Sequence, residues 1–134
     1  MTLEKIDHIG VAVRDLESAV ARYTLITGHP PEHFEEVTEQ KVRVAMFSVG
    51  ESRIELLQAT SPDSPIAKFI DKRGEGMHHV CFKVPDLQDA LTRLTKEGME
   101  IIPGAGSAGA DGSRVAFLHP KSGNGVLIEL VERM

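Results

Sequence analysis

The chain has one cysteine, no tryptophan, one tyrosine, and only 4% aromatic residues in all. A lone Cys81, set inside an apolar run, rules out a disulfide framework and reads as a small buried hydrophobe, which fits a reducing cytoplasm. No apolar run approaches the ~20 residues that a membrane helix requires. The residues after Met1 include Glu4, Lys5 and Asp7, where a secretory signal would carry its apolar core. The expectation is a soluble, untargeted protein. Fifteen basic against twenty acidic residues give a formal charge of −5, with no block of Lys or Arg. Without a basic stripe and stacking aromatics, a nucleic-acid surface is excluded, and an anionic ligand would need local cations. At 134 residues the chain suits one domain, residues 1–134, with enough length to bury a core.

What is present is a repeat. "DHIGVAVRDLESAVARY" (7–23) lies over "HHVCFKVPDLQDALTRL" (78–94) without a gap, and the same offset carries "RVAMF" (43–47) onto "RVAFL" (114–118). Three residues are then gained before "RIELL" (53–57) meets "LIELV" (127–131). An insertion confined to one turn is a common mode of divergence between duplicated units.

Each copy predicts the same elements. A strand at about 6–13 or 78–84 leads to an aspartate N-cap, Asp15 or Asp86. A helix follows with an apolar stripe, Leu16, Ala19, Val20 and Tyr23 or Leu87, Ala90, Leu91 and Leu94, and stops near Gly28 or Gly98. Three strands complete each copy, near 33–38, 40–49 and 52–59, then near 99–102, 113–119 and 126–132. Between the copies, Ser64 and Pro65 open a helix that Gly74 closes. The predicted fold class is α+β: two tandem βαβββ units, about 4–60 and 76–132, with a connecting helix within 61–75. Their strands should form a mixed sheet with the helices outside, cupped if the faces that the helices leave open curl toward each other.

Strand alternation sorts the faces. Ile9, Val11 and Val13, like Val80, Phe82 and Val84, face the helices, while His8 and its counterpart His79 face away. His78 has the opposite parity and aligns with Asp7 at the strand entrance. On the last strands, Glu55 and Glu129 also turn from the helices. A single strand histidine is usually structural, but His and Glu recurring at matched positions with matched parity point to shared chemistry. If the open faces meet, two carboxylates in a drying cleft repel each other, and a divalent cation relieves that cost. Two nitrogens and two oxygens suit Co2+, Mn2+, Ni2+, Zn2+ or Fe2+, and an octahedral ion keeps two positions for substrate oxygens or water. The predicted ligands are His8, Glu55, His79 and Glu129.

Other motifs carry less. His119 in "FLHPKSG" reads as a turn residue, and His29 and His33 as solvated residues of the Pro-rich loop after the first helix. "GAGSAG" (104–109) satisfies the dinucleotide fingerprint in letters only, because it runs on into a strand and not a helix; a flexible loop is expected.

"IDHIGVAVRDLESAV", "IELLQATSPDSPIAKFI", "GEGMHHVCFKV" and "FLHPKSGNGVLIELVE" together resemble the vicinal-oxygen-chelate superfamily, which includes glyoxalases, bleomycin-resistance proteins and dioxygenases. Within it they are most similar to the methylmalonyl-CoA epimerases. The resemblance covers nearly the whole chain and is most specific in the last two segments. It implies an isomerase that epimerises methylmalonyl-CoA at C2 by 1,1-proton transfer through an enolate stabilised by a metal, commonly cobalt. It assigns His8, His79 and Glu129 as ligands, with Glu129 also an acid/base, and Glu55 at a position that relatives fill with Glu or Gln. Some relatives carry a second catalytic glutamate where this chain has Val44, so the second acid/base here is either another carboxylate such as Glu55 or a metal-bound water.

A homodimer is further implied, consistent with an open sheet edge. The partner would be an acyl-CoA, its phosphates met by cations such as Lys121, Lys72 and Arg73. The alternatives on this scaffold are a glyoxalase I-type lyase, an extradiol dioxygenase using two His and one carboxylate around Fe2+, or a metal-free small-molecule-binding protein of the antibiotic-sequestering kind.

Overall fold

The computed structural model describes residues 2–133, apart from the side chain of Asp111. In chain order the elements are β1 (Lys5–Ala12), α1 (Leu16–Thr27), β2 (His33–Val37), β3 (Val42–Val49), β4 (Ser52–Ala59), α2 (Pro65–Arg73), β5 (Gly76–Lys83), α3 (Leu87–Lys96), β6 (Ser107–Ala108), β7 (Arg114–Leu118) and β8 (Ile128–Glu132). This is the α+β pattern expected, βαβββ twice with α2 between. Contacts gather residues 8–78 into a first unit, and residues up to 7 with those from 79 onward into a second.

In the first unit the strand order is β2-β3-β4-β1. β1 runs parallel to β4, with Gly10 opposite Glu55, while β3 runs antiparallel to both of its neighbours, β2 and β4. α1 is the crossover that a parallel pair requires. Val13, Leu16, Ala45, Phe47 and Leu56 form its buried core, with Val11, Val20 and Tyr23 packed against them. In the second unit the order is β5-β8-β7-β6, β5 is parallel to β8, and Val84, Leu87, Ala90, Leu91, Ala116 and Leu130 make the equivalent core. The apolar parity read from the sequence therefore lies under the helices in both units.

Helix starts follow their caps. Asp15 accepts from the Glu17 amide at 3.2 Å and Asp86 from the Asp89 amide at 3.0 Å. A second, long-range cap repeats as well: the Leu16 amide donates to Gln58 Oε1 and the Leu87 amide to Glu132 Oε1, each at 2.7 Å. Gln58 and Glu132 are themselves repeat counterparts, so each last strand pins the N-terminus of its own helix and satisfies one of its orphan donors. α2 begins after fully buried Ser64, whose hydroxyl accepts from the Ile66 amide, and ends at Gly74, as expected.

One expected strand differs. Over 99–102 only Ile101 bridges to Leu118, and the edge of the second unit is instead the two-residue β6, paired to β7. Pro103 offers no amide, and Gly104 and Gly106 take φ of 102° and 86°, so the chain turns out of the ladder before pairing again. The same turn explains "GAGSAG". Only a single 3-10 turn, Ala110–Gly112, separates it from β7, so no helix N-terminus is present to hold a pyrophosphate. At Gly109 a Cβ would lie 2.7 Å from both Ser113 Oγ and Val115 Cγ1, so close packing accounts for that glycine. The three added residues of the second copy fall in the turn before β8, where Pro120–Gly123 form another 3-10 turn.

The second unit also buries an ion pair that the repeat did not announce. Asp7, 3% exposed, receives Arg133 Nε at 2.9 Å and Nη2 at 2.8 Å, a two-pronged contact joining the start of β1 to the residue after β8. Removing the guanidinium while leaving the buried carboxylate costs about 3 kcal/mol. Arg133→Met is therefore expected to lower the urea midpoint at unchanged m-value; an unchanged midpoint would show that the pair contributes nothing.

Candidate functional site

In the first unit, β1 and β4 place His8 and Glu55 on the face turned away from α1, and both are buried at 4% exposure. His8 Nδ1 lies 3.4 Å from Glu55 Oε2. Arg53, two residues before Glu55 and on the same face, brings Nη2 to 3.1 Å from that oxygen. Its Nη1 rests 3.4 Å from the Met46 sulfur. Both contacts fall on the same oxygen, so an imidazole and a permanently charged guanidinium flank one carboxylate. Sequence reasoning missed Arg53, although its parity with Glu55 was the available signal.

The second unit repeats the arrangement. β5 and β8 run parallel with Cys81 opposite Glu129, and His79 and Glu129 are 5% and 4% exposed. His79 Nε2 lies 3.0 Å from Glu129 Oε1, and its ring meets the Phe117 ring edge-on at 5.9 Å. Cys81, Val115 and Val131, with Phe117 packed on them, form a dry wall on that face. Cys81 is fully buried there, a packing residue as expected. Each unit thus holds a buried imidazole–carboxylate pair at repeat-equivalent positions. Burial strengthens the attraction within each pair and makes either charge costly alone. Such pairs suit two tasks: ligating a metal or handling a proton.

The other histidines separate from these. His78 belongs to the first unit and stacks edge-on with Phe69 at 4.9 Å, so the adjacent pair that opens β5 does two different jobs. His119 Nδ1 accepts from the Lys121 amide at 3.0 Å and caps a turn, as expected. His29 sits in the loop, with its ring nitrogens 3.0 Å and 3.1 Å from the Pro30 and Ser48 carbonyls. His33 is not in that loop: it begins β2, where its Nε2 lies 3.0 Å from Glu35 Oε1. Of the cations proposed for phosphates, Lys72 and Lys121 are exposed, while the Arg73 guanidinium lies 5.9 Å over the Phe69 ring. Val44 is buried on the face shared by His8 and Glu55, between Leu57 and Glu35 of the neighbouring strands.

Residues 7–117 match the family model of the Glyoxalase/Bleomycin resistance protein/Dioxygenase superfamily. The mitochondrial methylmalonyl-CoA epimerase of Homo sapiens is 38% identical over 129 residues, covering 96% of this chain and 73% of that protein. The ethylmalonyl-CoA/methylmalonyl-CoA epimerase of Cereibacter sphaeroides is 37% identical, covering 94% of this chain and 96% of that one. Among solved structures, a variant of Streptomyces coelicolor methylmalonyl-CoA epimerase in complex with 2-nitronate-propionyl-CoA superposes with a TM-score of 0.93 at 38% identity, covering 98% of this chain and 95% of that one. The fold, the duplicated pairs and these likenesses converge: the chain belongs to the glyoxalase/bleomycin-resistance/dioxygenase superfamily and, within it, to the family of the methylmalonyl-CoA epimerases.

Proposed function

We propose that this protein interconverts the C2 epimers of methylmalonyl-CoA by 1,1-proton transfer. The observation that carries the reading is the recurrence of one buried imidazole–carboxylate pair in each unit, His8 with Glu55 and His79 with Glu129. The relatives named as acting on methylmalonyl-CoA support the substrate, an acyl-CoA.

In this reading the two units act as one domain and share a divalent ion, cobalt first among the candidates, held by His8, Glu55, His79 and Glu129. Two imidazole nitrogens and two carboxylates fit a first-row ion, and their burial excludes competing water. When bound, the ion supplies positive charge to the substrate's thioester and carboxylate oxygens, where negative charge grows as C2 loses its proton. Glu129 exchanges that proton on one face of C2, and His79, 3.0 Å away, fixes the carboxylate's orientation. Glu55 is assigned to the ion and not to the proton, because it lies beside the permanently charged Arg53 guanidinium at 3.1 Å, whereas Glu129 faces the His79 imidazole. Four donors, compared with the two-histidine, one-carboxylate set of the extradiol enzymes, favour isomerisation over dioxygenation.

A cytoplasmic location agrees with the single, buried thiol. A C2 homodimer agrees with the exposed apolar side chains of Leu25, Ile26 and Phe34.

Proton NMR in D2O tests the activity. Wild type should wash out the C2 proton of methylmalonyl-CoA, and His79→Ala should lose at least about 100-fold of that rate; equal rates in both would refute the site. Dialysis against a strong chelator should abolish turnover and added Co2+ restore it, whereas full activity of the stripped protein would remove the ion from the reaction.

A further inference from the structure

Inverting a carbon by proton transfer requires one group to take the proton from one face and another to deliver a proton to the opposite face. On the reading above Glu129 serves one face. The first unit's sheet contains the residue best placed for the other. Ala45, Phe47, Ile54 and Leu56 pack under α1, so Val42, Val44, Met46, Glu55 and Leu57 occupy the face shared with His8. The β2–β3 register adds His33 opposite Met46, Glu35 opposite Val44 and Val37 opposite Val42. Cross-strand partners share a face, with Cβ atoms about 5 Å apart. Among the described residues of β2, β3 and β4, this face therefore carries two carboxylates, Glu55 and Glu35.

The two differ in what surrounds them. Glu55 is 4% exposed and held by His8 and Arg53. Glu35 borders buried Val44 and Val37 on the same face, while its side chain keeps 27% exposure. Its Oε1 is 3.0 Å from Nε2 of His33, a ring 49% exposed. That contact links the carboxylate to an imidazole that reaches bulk water and can carry a proton on either ring nitrogen. Glu32, just before β2, is not a competitor: both its oxygens take the Ser48 amide, at 3.0 Å and 2.8 Å, and this backbone bond first of all holds its carboxyl below the ordinary value. Glu36, on the same strand, points to the opposite face.

We propose that Glu35 is the second acid/base, acting on the face of C2 that Glu129 does not reach, with His33 exchanging its proton with water. In one direction the Glu35 carboxylate removes the C2 proton, and the C–H electron pair passes into the thioester carbonyl. The carboxylic acid of Glu129 then delivers a proton to the opposite face as that pair returns to carbon. One carboxyl gains a proton and the other loses one, so no oxidant, reductant or further reactant is required. The reverse direction exchanges the two roles.

The test follows each epimer of methylmalonyl-CoA separately in D2O, measuring C2 deuterium exchange and inversion for wild type, Glu35→Gln, Glu35→Asp and, as a control, Glu36→Gln. Glu35→Gln should invert at least about 100-fold more slowly. It should still exchange, with retention, the epimer whose C2 proton meets Glu129. Glu35→Asp should recover inversion and exchange of both epimers in part, and Glu36→Gln should match wild type. Exchange of both epimers and inversion falling together, or neither falling, would overturn the assignment. Should the amide variant not fold, Glu35→Asp against wild type decides: an uneven loss between epimers supports the role, and an equal loss or none overturns it. A wild type that exchanges neither epimer would overturn the epimerase reading itself, and this assignment with it.

Discussion

A carboxylate removed from water needs a cation, and this constraint organises the chain. Glu55 and Glu129 are each almost fully buried, at a cost of several kcal/mol if left alone. Each has a neighbouring imidazole, and Glu55 has Arg53 as well. The strands that carry them must hold register, because a slip of one residue would send His8 or Glu129 under a helix and an apolar residue out in its place. Packing of Leu56 beneath α1 and of Leu130 beneath α3 enforces that register. Core packing and site geometry are therefore one requirement, met twice by the same βαβββ plan.

Divergence between the copies is concentrated where the pattern tolerates it. Gln58 in one copy and Glu132 in the other perform the same helix-pinning contact with different chemistry. Arg53 accompanies Glu55, whereas Leu127 stands at the matching position before Glu129. The first pair thus has a guanidinium beside its carboxylate, whereas the second keeps an apolar wall of Cys81, Val115 and Val131. This asymmetry agrees with giving Glu55 to binding and Glu129 to proton movement.

Much of this was legible before any coordinates. The matched positions of His8 with His79 and of Glu55 with Glu129, combined with strand parity, were enough to separate four residues from the helix-facing core. Asp15, Asp86 and Ser64 marked helix starts, because a cap acts within three residues of itself. Contacts closed over long sequence separations were not legible. The Leu16–Gln58 and Leu87–Glu132 caps, the Asp7–Arg133 pair and the approach of Arg53 to Glu55 all depend on which strands lie side by side and on rotamers that alternation leaves open. The strand expected at 99–102 failed for a local reason, since Pro103 and two left-handed glycines end the ladder after a single bridge. Its proline neighbours place His33 in a loop, yet its pairing with Met46 makes it part of β2.

The central claim is that the two half-sites serve one ion. Cobalt titration followed by equilibrium dialysis and visible absorption measures this directly, using wild type, His8→Ala, His79→Ala and the double variant. The account predicts one Co2+ per chain in wild type, with each single variant losing that binding as completely as the double variant does. Two ions per chain, with each histidine variant losing only its own, would contradict it.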